Sequence, residues 1–249
     1  MIETENQNGV TIVRMAHGRA NAMDIELCQA LSAQLAELNA SPAGAIVLTG
    51  RGGIFSAGVD LLRLLKGGSP YIRSFLPQLS AMLAAVFSSP KPVVAAINGH
   101  AIAGGCVLAC AADKRLMARE AGRIGVTELL VGVPFPAAAL EIMRSAVAPQ
   151  HFEDVIFSGR TFTPQEASER GLLHEITETD NLVERAIAAV RALAALPPAA
   201  FALTKRQTRQ AALEALQADA SRAEVEQIWT APETLARIRD YVGRTLGKS

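Results

Sequence analysis

Aromatic residues are scarce: eight Phe, two Tyr and one Trp make up 4% of 249 residues. Half of the chain is nevertheless hydrophobic, so the core must be built from Ala, Leu, Val and Ile. That composition suits helices packed on buried strands better than a β-sandwich. Cysteine is also rare. Cys28, Cys106 and Cys110 form an odd set without the spacing of a secreted disulfide scaffold, which predicts a reducing compartment. Cys106 and Cys110 can share a helix face, but no second ligand pair lies near them, so no metal site is predicted. Net charge is absent as well, with 24 basic and 24 acidic residues. A neutral chain has no general attraction for nucleic acid or an anionic membrane, and a polyanionic ligand must be held by local groups. No apolar run reaches the roughly 18 residues of a membrane span; the longest, near 102–112, is broken by Gly104–Gly105. The opening MIETENQNGV is polar and acidic, unlike a signal peptide. These absences together predict a cytoplasmic protein.

What is present is an alternation. Residues 10–15 (VTIVRM) read as a strand. Residues 24–40 carry Leu27, Cys28, Leu31, Leu35 and Leu38 at helical spacing, with Asp24 as N-cap. The short apolar runs 45–49 and 93–97 read as strands buried on both faces, and 115–118 as another. Residues 71–88 repeat the helical spacing. This order predicts an α/β domain with a largely parallel sheet. After Pro164 the chain reads as helix, over 180–195, 198–218, 221–230 and 232–246, apart from an extended piece near 172–176. Pro197–Pro198 marks a soft boundary, dividing a core of residues 1–195 from a helical region of 196–249. The tail is amphipathic and Ala-rich, with more apolar surface than a free appendage exposes. Trp229 reads as a core anchor there.

Two turns carry the chemical interest. Ser56–Ala57–Gly58–Val59–Asp60–Leu61 follows the 45–49 strand. Its small residues let backbone approach a ligand, and Asp60 can cap a helix starting at Leu61; taken alone, the segment reads better as a plain tight strand-to-helix turn. Asn98–Gly99–His100 through Gly104–Gly105–Cys106 follows the 93–97 strand and leads into a small helix over 106–112. A helix start offers free N–H groups that glycines expose to an anion, or simply packs closely on a sheet. In a parallel sheet both turns open at the carboxyl ends of strands, where α/β ligands bind. Two N–H groups converging there on one oxygen form an oxyanion hole.

At this point the motifs become recognisable. LTGRGGIFSAGVDL, KPVVAAINGHAIAGGCVLACAADKRL, GRANAMD and FSGRTFTPQEASERGLLHEI resemble the signatures of the crotonase (enoyl-CoA hydratase/isomerase) family, and the resemblance spans nearly the whole chain. It implies the crotonase spiral of ββα units with a helical C-terminal region that mediates trimerisation, as a homotrimer or dimer of trimers. It implies an acyl-CoA thioester substrate, with coenzyme A part of the substrate and no separate cofactor. The oxyanion N–H groups fall on Val59 and Gly104. Arg19, Ala20, Ala22, Ala57, Asp60 and Leu61 fall along the coenzyme A path, and the variable pocket wall on 62–82.

Family hydratases place one Glu just after the G-G-C, where this chain has Val107. They place a second about twenty residues on, where this chain has Glu128. A third family position for an acid, within Val133–Pro136, carries none. Glu128 is the sole ionisable side chain between Arg123 and Glu141, in an apolar stretch that raises a carboxyl pKa. One carboxylate suffices to carry a proton from C2 to C4, so the resemblance points to a Δ3,Δ2-enoyl-CoA isomerase. The alternatives are a hydratase of the same family, a non-catalytic acyl-CoA binding protein, and a thioesterase using Cys106. His100 reads as a structural or pocket-wall residue.

Overall fold

The computed structural model describes residues 1–120 and 122–245. Its strands are β1 (Ile2–Gln7), β2 (Val10–Met15), β3 (Ala45–Gly50), β4 (Ile54–Ser56), β5 (Val93–Ile97), β6 (His100–Ile102), β7 (Lys114–Ala118), β8 (Ile124–Gly125), β9 (Thr161–Phe162) and β10 (Glu175–Thr177). One sheet runs β1-β2-β3-β5-β7-β10 and a smaller one β4-β6-β8-β9. The first is parallel except for the β1–β2 pair. The second is parallel except for β8–β9. Strands β3, β5 and β7 of the large sheet are thus each followed by a strand of the small sheet and then a helix, which is the repeated ββα unit.

The helices are α1 (Ile25–Ala40), α2 (Leu61–Phe87), α3 (Gly104–Cys110), α4 (Glu128–Val131), α5 (Ala137–Ala146), α6 (Phe152–Ser158), α7 (Pro164–Glu169), α8 (Leu182–Ala194), α9 (Pro198–Thr208), α10 (Gln210–Ala218), α11 (Arg222–Thr230) and α12 (Pro232–Thr245). Asp24 caps α1 by accepting the Leu27 N–H at 2.8 Å, and Asp60 caps α2 by accepting that of Arg63 at 2.9 Å. Each satisfies a donor the first helical turn leaves free. The inner strands β3 and β5 of the large sheet are buried on both faces, as their apolar runs predict. Ile46 and Leu48 join the main core with α1, α2, α3 and α5. Ala45 and Val47, on the opposite face, pack with Leu182, Ala186 and Val190 of α8.

Several expectations need correction. Strand β1 was not foreseen, because IETENQ is polar; it is an edge strand, largely exposed, where charge is favoured over apolar alternation. Helix α2 begins at Leu61, where Asp60 was expected to cap a helix, and runs on through the separately read 71–88 segment as one element, broken at Gly68 with φ +59° and ψ −159°. The predicted 198–218 helix divides at Arg209, whose guanidinium reaches the Phe87 carbonyl and the Asp113 carboxylate. Helix α3 starts at Gly104, not at Cys106. Of the 232–246 helix, Leu246 lies outside the described residues.

The apolar tail packs on its own chain: α10 against α5, α11 against α2, and α12 against α2 and α4. Asp113, at the start of β7, bonds Lys205 Nζ at 2.8 Å and Arg209 Nη2 at 2.9 Å and pins α9 to the sheet. Burial pushes the Lys205 ammonium down to about 8, with Asp113 opposing. Among the described residues no single helix is long and apolar enough to cross a membrane.

Candidate active site

The two glycine-bearing turns meet at the carboxyl ends of β4 and β6. Gly58 has φ +82°, and a Cβ on it would lie 2.6 Å from the Ile102 carbonyl oxygen and 3.1 Å from the Gly104 nitrogen. Only glycine allows that approach. Behind it a Cβ on Gly105 would strike the Ser56 carbonyl at 2.4 Å. Ala103 precedes Gly104 at φ +51° and ψ −124°, a conformation an L-residue adopts only at a cost of order 1–3 kcal/mol. Such strain persists where the surroundings enforce it, here at the residue that sets the Gly104 N–H.

The early segment clamps the first turn. Met23 N–H donates to Gly58 O at 2.7 Å, Asp60 N–H to Met23 O at 2.9 Å, and Ala57 N–H to Ala20 O at 3.0 Å. The Val59 N–H, between two bonded neighbours, has no acceptor among the described residues, and neither has that of Gly104. Both turns open on one cavity, lined by Ala57, Val59, Leu61, Gly104, Val107 and Glu128 together with residues from α2, α5, α11 and α12.

Glu128 opens α4 and is 9% exposed. Its Oε2 is buried without a hydrogen-bond partner. Burial raises its carboxyl to about 7, and the backbone N–H groups of Glu128 and Thr127 draw it part of the way back. An acid in this state is about half ionised near neutrality and can both accept and return a proton. Val107, fully buried, lies in the same wall.

Not every predicted residue comes to the cavity. Ala57 and Leu61 line it. Ala20 reaches its rim through the bond to Ala57, whereas Arg19 is exposed and Ala22 half-buried, and neither lines it. Asp60 is engaged in capping α2. Of the wall expected in 62–82, only Leu79 contributes, joined from the same helix by Leu61 and Leu83; Leu62 is 57% exposed. Cys106 does not line the cavity, and its thiol is held well above the ordinary range by a bond to Cys110 and by burial, so it is no poised nucleophile. His100 is exposed and accepts the Arg123 N–H at 3.2 Å. It is structural.

Among the lining residues that the sequence reading did not place in the site are Thr127, Trp229 and Tyr241. Thr127 is next to Glu128 and could have been found from it. Trp229 and Tyr241 come from α11 and α12, and no local motif marks them; only the rarity of aromatics draws the eye. Trp229 is an anchor, as predicted, with Nε1 donating to the Pro134 carbonyl at 2.9 Å. It is also part of the wall.

The profile of the enoyl-CoA hydratase/isomerase family matches residues 5–235. A Thermus thermophilus protein provisionally described as an enoyl-CoA hydratase is 36% identical over 211 residues, covering 82% of each chain. The apo structure of a Mycobacterium tuberculosis enoyl-CoA isomerase superposes with a TM-score of 0.81 at 33% identity, over 91% of this chain and 96% of that one. The human mitochondrial Δ3-Δ2-enoyl-CoA isomerase structure gives a TM-score of 0.94 at 24% identity, over 100% of this chain and 99% of that one. This last likeness is one of fold.

Proposed function

This chain belongs to the enoyl-CoA hydratase/isomerase family, the crotonase family of acyl-CoA enzymes, and from that premise we propose that it moves the double bond of a 3-enoyl-CoA to the 2-position. The observation that carries the reading is the single unpartnered carboxyl, Glu128, in a largely apolar cavity shared with two free N–H groups. Glu128 as carboxylate removes a proton from C2. The electrons flow into the thioester carbonyl, and the N–H groups of Val59 and Gly104 hold the resulting enolate oxygen. The enolate collapses with the double bond between C2 and C3, and Glu128 returns the proton to C4. No other group is needed, and no water enters the product.

Hydration is the second reading, favoured by the Thermus relative. It requires water to be activated and a proton delivered, and Val107 supplies neither. The deciding experiment offers 3-enoyl-CoA and 2-enoyl-CoA separately and follows conjugation and hydration. Isomerisation with little hydration supports the proposal. Efficient crotonyl-CoA hydration, or tight binding with no turnover of either ester, overturns it.

We also propose a homotrimer or dimer of trimers, though not for the reason first given, since the tail's apolar faces pack on this chain. The support is elsewhere: Leu130 and Phe157 are 51% and 66% exposed, Leu130 lies against Gly159, two residues from Phe157, and isolated proteins seldom leave large apolar side chains near one another in solvent. Light scattering at micromolar concentration tests it, and a monomer refutes it.

A further inference from the structure

The chain's own C-terminal helices supply part of the cavity wall: Trp229 and Tyr241 join the apolar Leu79 and Leu83 from α2, Ala139 from α5, and Val133. The cavity holds about 80 Å³. A cavity of about 150 Å³ admits benzene, so this space takes an apolar group smaller than that ring.

Trp229 is the largest side chain in that wall, and it is fastened. It is 2% exposed, and its Nε1 bonds to Pro134 O at 2.9 Å. Pro134 follows Val133 directly, so the indole is bonded to a segment that lines the same cavity through Val133 and Pro136. Helix α11 is itself tied to α2: Ser69 Oγ donates to Thr230 O at 3.2 Å, and Arg73 Nε meets Glu226 Oε1 at 3.1 Å. Rotating the indole out of the cavity would break this bond.

We propose that Trp229 is the stop that sets acyl length, making this a short-chain site whose substrates are enoyl-CoA esters of about four to six carbons. The inference rests on the reading above that the acyl chain occupies this cavity, with its thioester at Val59 and Gly104. It does not depend on which reaction follows. Each added methylene gains about 0.8 kcal/mol when buried. A chain that runs into the indole gains none of that and must displace packed side chains.

The test is calorimetric binding of saturated acyl-CoA esters, from acetyl through butanoyl and hexanoyl to decanoyl, which undergo no isomerisation. In wild type, affinity should peak at butanoyl or hexanoyl, with decanoyl weaker by at least about tenfold. Trp229→Leu should strengthen decanoyl binding by at least about tenfold and leave acetyl-CoA nearly unchanged. Decanoyl-CoA binding to wild type as tightly as hexanoyl-CoA overturns the proposal, as does an unchanged length profile in a folded Trp229→Leu. Should that variant lose its cooperative melt, Ala139→Leu tests the same wall from the other side: it should shift the optimum to shorter chains, and an unshifted optimum refutes the stop. A short-chain binding profile without 3-enoyl-CoA turnover would overturn the isomerase reading and support the role of Trp229.

Discussion

The Ser56 hydroxyl accepts the Gly58 N–H at 3.1 Å while donating to the Asn21 carbonyl at 2.8 Å. One fully buried side chain thus ties the early segment to the turn that presents the Val59 N–H, and its Cβ also backs Gly105, the residue after the second donor. Ser56→Ala should leave the Gly58 N–H buried and unpaired, lowering stability by about 1–3 kcal/mol. Because the donors are positioned for the enolate more than for the ground state, kcat should fall more than KM rises. A fall in melting temperature with kcat unchanged would confine Ser56 to a purely structural part.

Glu128→Gln should reduce isomerase turnover by roughly 10²–10⁴-fold while acyl-CoA binding survives. The same substitution has a stability signature. Burial raises the Glu128 carboxyl from its ordinary 4.5 to about 7 in the fold. Between those values the folded chain keeps a proton that the unfolded chain has lost. Stability therefore falls as pH rises through that window, by about 3 kcal/mol in total, and the loss is complete above it. Gln avoids the loss. The variant should melt several degrees above wild type at pH 8 and level with it below pH 4.5. Equal melting temperatures at both pH values would place the carboxyl in a solvated site.

Gly104→Val should abolish turnover without unfolding the chain. A Cβ at Gly104 would meet the flexible Met23 Sδ at 3.1 Å and no backbone atom closer than 3.7 Å, so the fold can yield while the branches block the thioester oxygen. One lost oxyanion donor costs about 2.7–4 kcal/mol in the barrier. Val59→Ala keeps the N–H and should be mild. Near-normal kinetics in Gly104→Val would show that the second donor lies elsewhere.

The inner strands of the large sheet were legible because burial on both faces leaves a continuous apolar run, as in 45–49 and 93–97, whereas the polar edge strand β1 gave no such signal. Asp24 and Asp60 were legible as caps because a capping carboxylate bonds three residues along the chain. The turns at 56–61 and 98–106 stood out through small residues, and Glu128 through its isolation among apolar neighbours. What the sequence could not disclose was set by distance. The Trp229–Pro134 bond spans 95 residues, and nothing local to either says that they meet. Arg209 reads as one more surface cation in an amphipathic helix until the fold brings Asp113 beside it. The two-residue strands β8 and β9 are too short for any period to show.

Asp113 marks a place where stability, not chemistry, should respond. It is the carboxylate for both Lys205 and Arg209, all three largely buried. Asp113→Ala leaves two neighbouring cations without their counter-ion, for which a loss of about 3–5 kcal/mol is usual. Thermal melting should show it, and limited proteolysis should cut near α9 first. Unaltered melting would mean that the triad is offset by its own desolvation.

Val107 tests why this cavity should isomerise. It lies three residues after Gly104 on α3, fully buried in the wall that also holds Glu128. An apolar side chain there cannot orient or deprotonate water, and it keeps water from the enolate, so the proton on Glu128 returns to C4. Val107→Glu would introduce a second carboxyl beside an already unpartnered one. Two such groups cannot both ionise cheaply, so one of the pair is raised further, and burying it lowers stability. The variant should gain weak crotonyl-CoA hydration, lose isomerase rate and melt lower. If wild type already hydrates crotonyl-CoA as efficiently as it isomerises a 3-enoyl-CoA, the one-acid argument fails. The first place to look for the missing water-activating group would then be Thr127, which lines the cavity beside Glu128.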